Sequence, residues 1–220
     1  MASTKSSLPE VVLSRMHWPI TVLGHGRRVG IWFQGCSIGC PGCCATDTWD
    51  AAPARGVGLE RILAWIDGLP TEEIDGFTIS GGEPFDQPEA LQALVREIRL
   101  RFDSARVDVL LYSGYSWRRL RARHPEVLLL VDVVISGPYR RDRKQAWLRG
   151  SANQELHRLS ALARERYVQE ADAEPDSRRI QFQFDGDEVW FAGIPRPGEL
   201  DRLAAMLQER GIVLRQNSWD

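Results

Sequence analysis

All four cysteines of the chain fall within one stretch, GCSIGCPGCCATDTW, residues 35–49. Cys36, Cys40 and Cys43 follow a C-x3-C-x2-C spacing, with Gly35, Gly39 and Gly42 beside them and Pro41 stiffening the turn. That spacing lets one tight loop present three sulfurs to a compact centre, and the glycines permit close approach of backbone to a bulky inorganic object. A disulfide framework fits poorly, because near neighbours close tiny loops and an adjacent pair such as Cys43–Cys44 is strained. Structural zinc takes four ligands, usually as two separated pairs. Here the fourth would be Cys44, adjacent to Cys43, or His25, which follows a glycine and reads as a turn residue. An iron–sulfur cube suits the set better. Three thiolates leave one of its irons without a protein ligand, open for reaction much as an open zinc position is. Cys44 reads as a small buried residue behind the loop.

The elements that must position this loop alternate. VGIWFQ (29–34), GFTIS (76–80), VDVLLY (107–112) and LLLVDVVIS (128–136) read as strands, the last apolar on both faces as in a parallel sheet. Helices are expected at 58–68, where Leu59, Ile62, Leu63 and Ile66 share a face, and at 88–102, opened by Pro88 with Leu91, Leu94, Val95, Ile98 and Phe102 on one side. A third, at 116–124, is stopped by Pro125. Such alternation argues for right-handed βαβ units. There are too few for a closed eight-stranded barrel, which takes roughly 200 residues or more. The expected fold class is α/β, a partial, open β/α TIM-like barrel. In a barrel the C-terminal strand ends converge on one mouth. GGEP (Gly81 to Pro84), SGYSW (Ser113 to Trp117) and GPY (Gly137 to Tyr139) each follow an expected strand, as the cysteine loop does. The four loops would therefore ring one cavity. In it Glu83 can accept a hydrogen bond from an amine, while Gly81 and Gly82 let backbone approach a ligand.

The 220 residues are 43% hydrophobic and 26% charged, with a formal net charge of −2. This ordinary globular balance argues against a broad polyanion-binding face, so no nucleic-acid partner is expected. The run RRDRK, Arg140 to Lys144, reads as a solvated basic loop. No apolar run approaches the ~20 residues of a membrane span. No secretory h-region follows MASTKSSLPE. Neither a membrane nor export is expected, and the cytoplasm, where thiols stay reduced, is the expected compartment. Residues 1–169 read as the barrel core. Beyond it come a polar linker (170–179), a hairpin (179–195) turning at Asp185-Gly186, and a helix (198–210) with Leu200, Leu203, Ala204 and Leu207 on one face and Gly211 as C-cap. Together, 170–220 reads as a small C-terminal βα appendage. Trp32 and Trp190 are expected in cores. Trp117, Trp147 and Trp219 are candidates for a docking surface.

CSIGCPGC, Trp49 six residues later, and ISGGEP together resemble the radical S-adenosylmethionine superfamily. GHGRRVGIWFQGC (24–36), DTWD (47–50), LYSGYSW (111–117), DVVISGPY (132–139) and LRGSANQ (148–154) are most similar to the small activating proteins of anaerobic ribonucleotide reductase. The resemblance spans roughly residues 18 to 158. It implies that Cys36, Cys40 and Cys43 hold a [4Fe–4S] cluster whose fourth iron is chelated by the amino and carboxylate groups of S-adenosylmethionine. It implies that Gly81, Gly82, Glu83 and Pro84 position the amine. Ser113, Ser136, Arg149, Ser151 and Asn153 would line the rest of the cofactor site, the arginine suiting a carboxylate by its planar fork. The implied chemistry is one-electron cleavage of the sulfonium to methionine and a 5′-deoxyadenosyl radical, with no catalytic side chain assigned beyond the cluster ligands. The implied partners are a glycyl-radical enzyme, whose glycine gives up a hydrogen atom, and an electron donor such as flavodoxin or ferredoxin.

Departures from the family pattern are informative. An acidic residue is expected where Ser136 stands, tyrosine where Cys44 stands and arginine where Glu155 stands. The appendage exceeds a compact activase, and no second cysteine cluster marks a ferredoxin-like insert. A radical enzyme acting on a small molecule or peptide is therefore an alternative, favoured if the appendage caps the mouth. A non-catalytic iron–sulfur or zinc protein is a third reading.

Overall fold

Short, almost wholly apolar strands can be buried on both faces, and four of them build the centre of the fold. A computed structural model describes residues 8–51, 56–168, 180–185, 188–196 and 198–212. Its main sheet has seven strands in the order β3-β1-β2-β4-β5-β6-β7. The four central ones are parallel: β2 (Arg28–Phe33), β4 (Gly76–Gly81), β5 (Asp108–Ser113) and β6 (Val133–Ser136). β1 (Glu10–Ile20), β3 (Gly56–Gly58) and β7 (Glu155–Arg158) flank them in antiparallel pairings. The sheet is open, as expected. Both edge strands are very short, which limits their appeal as templates for another chain.

The helices fall near their expected places: α1 (Leu59–Asp67), α2 (Pro88–Arg101) and α3 (Trp117–Arg123). Ile31, Phe33, Phe77, Ile79, Val109, Leu111 and Val134 face them in the largest core cluster. The expected strand over 128–136 is too long at its start. Pro125 opens a single turn of helix, α4 (Pro125–Leu128), and Leu129 is 87% exposed, so pairing begins only at Val133. α5 (Ala161–Arg166) and strands β1, β3 and β7 were not expected. β1 hides because its register shifts twice, between Leu13 and Arg15 and between His17 and Ile20, which scrambles the apolar–polar alternation that marks a strand.

The opposite face of the sheet is concave, and later segments fill it. Leu110, Val133 and Ile135 pack with Ala163 and Tyr167. Trp32, Ile20 and Leu23 pack with Ala192, against which Trp190 and Ile194 also lean. Trp190 and Ala192 come from a hairpin, β8 (Ile180–Asp185) with β9 (Glu188–Gly193), which pairs as expected; Ile194 follows it directly, ahead of α6 (Glu199–Glu209). Backbone N–H groups of Gly211 and Ile212 close the helix end on Gln208 and Leu207, as a left-handed residue at that position allows. The linker at 170–179, the hairpin's Gly186 and Trp219 lie outside the described residues.

At the N-terminal ends of the parallel strands the concave face is plugged by charge. Arg28, fully buried, donates to Asp108 Oδ1 and Oδ2 at 3.1 and 2.8 Å and to Thr78 Oγ1 at 2.6 Å. Arg166 and the Tyr167 hydroxyl also donate to Asp108, at 2.7 and 2.8 Å. Burial works against the Asp108 carboxylate, yet Arg28 beside it and the hydrogen bonds from Arg28, Arg166 and Tyr167 hold its pKa below the usual value. Breaking such a pair leaves a buried charge uncompensated. Asp108→Asn is expected to lower stability in urea unfolding by about 3–5 kcal/mol, with the strand-end loops still in place.

Candidate functional site

The loops after β2, β4, β5 and β6 lie at the other end of the sheet, and they interlock. GGEP leaves β4 pressed against the cysteine loop. Gly82 N–H donates to Phe33 O and Glu83 N–H to Gly35 O, both at 2.8 Å. A Cβ on Gly82 would sit 2.0 Å from Gly35 O, and one on Gly81 would sit 2.3 Å from Phe33 O. These are backbone collisions that no rotamer relieves. The two glycines therefore serve a close approach within the chain itself, in addition to any approach to a ligand. Gly35 N–H and Cys36 N–H return to Thr48 O and Trp49 O at 2.8 and 3.0 Å, so DTWD closes the loop behind the cysteines. Gln34 Nε2 ties the same segment down through Asp47 O and Asp50 O.

Glu83 is fully buried and faces SGYSW. Its carboxylate accepts from Ser113 Oγ at 2.9 Å, Gly114 N–H at 2.7 Å and Phe85 N–H at 3.1 Å. A carboxylate offers about four acceptor sites, so three are used and one is left for a further donor such as an amine. Burial pushes this carboxyl up to about 7, against the three hydrogen bonds, which pull it down. Pro84, buried beside it, opens a 3₁₀ turn that carries Asp86. Asp86 was not singled out by the sequence, yet it clamps three loops. It accepts from Ser37 N–H at 2.7 Å, from Ser37 Oγ at 3.0 Å and from the Tyr115 hydroxyl. Arg119 lies over the Tyr115 ring with its Cζ 3.4 Å from the centroid. Ile38 fills the space above Gly114.

The thiols differ. Burial raises those of Cys40 and Cys43, and each feels the charge of its neighbours in the loop. Cys44 keeps part of its residue surface at solvent, but its thiol is sunk and burial pushes it up to about 12. A buried, high-pKa thiol is inert, in keeping with the expectation that it stands behind the loop. Among the described residues no three Cys, His, Asp or Glu side chains converge as they do on a single ion. The donor set of three thiols on one glycine-rich turn fits a compact inorganic cluster.

The remaining candidates form a second patch joined to the first through Gly137 N–H, which donates to Tyr115 O at 2.8 Å. Asn153 Nδ2 donates to Pro138 O and Gln154 Nε2 to Gly137 O, at 2.8 and 3.0 Å. Ser151, fully buried, accepts from Arg140 N–H at 3.1 Å, and Arg149, also buried, donates to Gln154 O at 2.7 Å. Ser136 meets His157 Nε2 at 3.0 Å, and Glu155 approaches the same nitrogen at 3.3 Å. Two of the departures noted in the sequence, Ser136 and Glu155, are thus cross-strand partners that share one histidine. His157 stacks on Trp117 with ring centroids 3.8 Å apart. Both contacts use one ring nitrogen, so the three side chains are no relay of the serine-hydrolase kind. Trp147 leans on the cluster of Leu110 and Tyr167 rather than forming a separate surface.

Gly82→Ala should leave the secondary structure intact but displace the cysteine loop, so that iron retained per chain after anaerobic reconstitution falls several-fold. The raised carboxyl of Glu83 has a stability consequence. Between about pH 4.5 and 7 the folded state holds a proton that the unfolded state releases, so this group's contribution falls as pH rises through that window. Thermal melts at pH 5 and pH 8 should show that this part of the pH dependence, on the order of 2 kcal/mol, disappears in Glu83→Gln.

Residues 22–157 match a family model described as a 4Fe–4S single cluster domain. Among curated proteins, the anaerobic ribonucleoside-triphosphate reductase-activating protein of Enterobacteria phage T4 is 32% identical over 139 residues, covering 61% of this chain and 86% of that protein. The proteins of the same description from Salmonella typhi and Escherichia coli strain K12 are each 28% identical over 149 residues, covering 65% of this chain and 96% of theirs. A solved structure, QueE from Escherichia coli, aligns with a TM-score of 0.41 at 18% identity over 49% of this chain and 54% of that one. That overlap is too slight to bear on the fold.

Proposed function

The chain belongs to the 4Fe–4S single cluster domain family and to the family of the anaerobic ribonucleoside-triphosphate reductase-activating proteins, and from that premise we propose that it is a radical S-adenosylmethionine activase that places a glycyl radical on a partner enzyme such as anaerobic ribonucleotide reductase. The observation that carries this reading is the interlock of the three-cysteine loop with GGEP and SGYSW through Glu83 and Asp86. Cys36, Cys40 and Cys43 are the proposed cluster ligands, and S-adenosylmethionine the proposed second cofactor. Cys36, Cys40 and Cys43 would hold the cluster, which when bound would supply the one-electron reduction needed for reductive cleavage of S-adenosylmethionine.

The chain's own residues bind and orient. Glu83 has one acceptor position left for the amine. Arg149, Ser151 and Asn153, on the neighbouring patch, are the proposed contacts for the rest of the nucleotide, a reading supported by Asn153 Oδ1, which is buried without a partner there. Ser136, with a hydroxyl in place of the carboxylate of the family pattern, is turned to His157. The electron comes from a donor protein such as flavodoxin or ferredoxin. Among the described residues no helix is long and apolar enough to cross a membrane, and the proposed compartment is the cytoplasm.

The hairpin supports a second reading. We read 1–169 as the core and 170–220 as an added wall. Trp190 meets Trp32 and His17 edge-on at 5.6 and 5.0 Å. Gln181 donates to Pro19 O at 2.7 Å, and Gln145, beyond β6, donates to Pro195 O. The hairpin therefore crosses the concave face from the β1 side to the loop after β6. A face covered in this way suits a small molecule or peptide as substrate as well as the loop of a large partner.

Anaerobic reconstitution with iron and sulfide, reduction and addition of S-adenosylmethionine should give 5′-deoxyadenosine. Cys40→Ala should abolish cluster and product, and Cys44→Ala should keep both. Retention in the first variant or loss in the second refutes the ligand assignment. A glycyl-radical signal by electron paramagnetic resonance in a co-expressed reductase selects the activase, and its absence alongside product formation selects the second reading.

A further inference from the structure

Beside the cysteine loop the surface is basic on one side only. Arg140, Arg141, Asp142, Arg143 and Lys144 are all exposed, in a chain whose net charge is −2. This segment is pinned against the proposed cluster loop. The Arg141 side chain lies over Gly42, where a Cβ would come within 3.0 Å of its Cδ. Arg140 N–H is held by Ser151, and Lys144 O accepts from Ala152 N–H at 2.7 Å. Asp142 forms ion pairs at 3.6 Å with both Arg140 Nε and Arg143 Nε, but one carboxylate among four cations leaves the run with a cationic excess. On the other flank of the cysteine loop stand carboxylates, Asp47 and Asp50, the former paired with Arg15.

We propose that Arg141, Arg143 and Lys144 form the docking rim for an acidic one-electron carrier protein, which is thereby oriented with its redox group toward the cysteine loop. The inference rests on the reading of the site as a reducible cluster. Charge complementarity is its warrant: a patch with a cationic excess, on a segment whose backbone is tied down, steers an oppositely charged partner and sets its orientation more than it adds raw affinity. The carrier gives up one electron and is oxidised by one unit, the cluster gains that electron, and no proton or bond changes hands at the rim. A partner that is itself a substrate protein is the competing occupant. The asymmetry argues against it, because a large substrate protein must cover the strand-end mouth rather than one flank of the loop.

The test compares the native protein with the triple variant Arg141→Glu, Arg143→Glu, Lys144→Glu. Affinity for a flavodoxin is measured on cluster-free protein by calorimetry at low and physiological salt. The rate of cluster bleaching by reduced flavodoxin is then measured on reconstituted protein, beside that by a neutral deazaflavin photoreductant. The expected result is a loss of about tenfold or more in affinity and in flavodoxin-driven rate, larger at low salt, with the photoreductant rate unchanged. Equal affinity and equal flavodoxin rates in the two proteins overturn the proposal. So does a variant that accepts electrons normally but, once photoreduced, no longer activates a reductase, since the rim then belongs to the substrate protein. If photoreduced native protein yields no 5′-deoxyadenosine, the functional reading fails separately, and the calorimetry still decides the docking.

Discussion

Two carboxylates hold the working end of this protein together. Glu83 draws the loop after β5 onto the loop after β4, and Asp86, three residues on, draws the cysteine loop onto both. Each is reached by backbone N–H donors, so the geometry depends on main chain rather than on long mobile side chains. Gly82 is the condition for it, since the GGEP turn and the cysteine loop cross at a separation that admits no side chain. A loop that must grip a bulky inorganic centre gains pre-organisation this way, because its ordering is completed during folding and is not charged against binding.

The two ends of the parallel strands divide the labour. At their starts, Arg28, Asp108, Arg166 and Tyr167 form a buried, mutually paired charge network. At their ends, polar groups are gathered but not saturated: a free acceptor position on Glu83, and an unpartnered Asn153 Oδ1. Barrel-type folds place stability at the first end and chemistry at the second, and this open sheet follows that division without closing.

Much of this was legible in the residues. Cysteine spacing, GGEP and the glycine-rich strand ends pointed to one mouth, and apolar runs located the parallel strands. Asp86 was not legible, because a carboxylate after GGEP has no pattern of its own and its partners, Ser37 and Tyr115, are distant in sequence. β1 was missed because bulges break its alternation. The His157–Ser136–Glu155 contact was hidden because β7, which aligns the residues, is four residues long and polar. The start of β6 was misjudged because Leu128 and Leu129 look like strand, while Pro125 fixes a helical turn. Sequence pattern failed at Asp86 and His157 where a long-range contact decides, and at β1 and the start of β6 where a bulge or a proline turn overrides the apolar run.

The hairpin's span also carries a mechanical meaning. An open sheet can flatten, and flattening would move the cysteine loop away from the RGSANQ segment at the far side. With Trp190 wedged beside Trp32 at one margin and Pro195 hitched to Gln145 near the other, the segment that carries them ties the two margins together. That tie resists flattening, and these two contacts lie apart from the cysteine loop and GGEP.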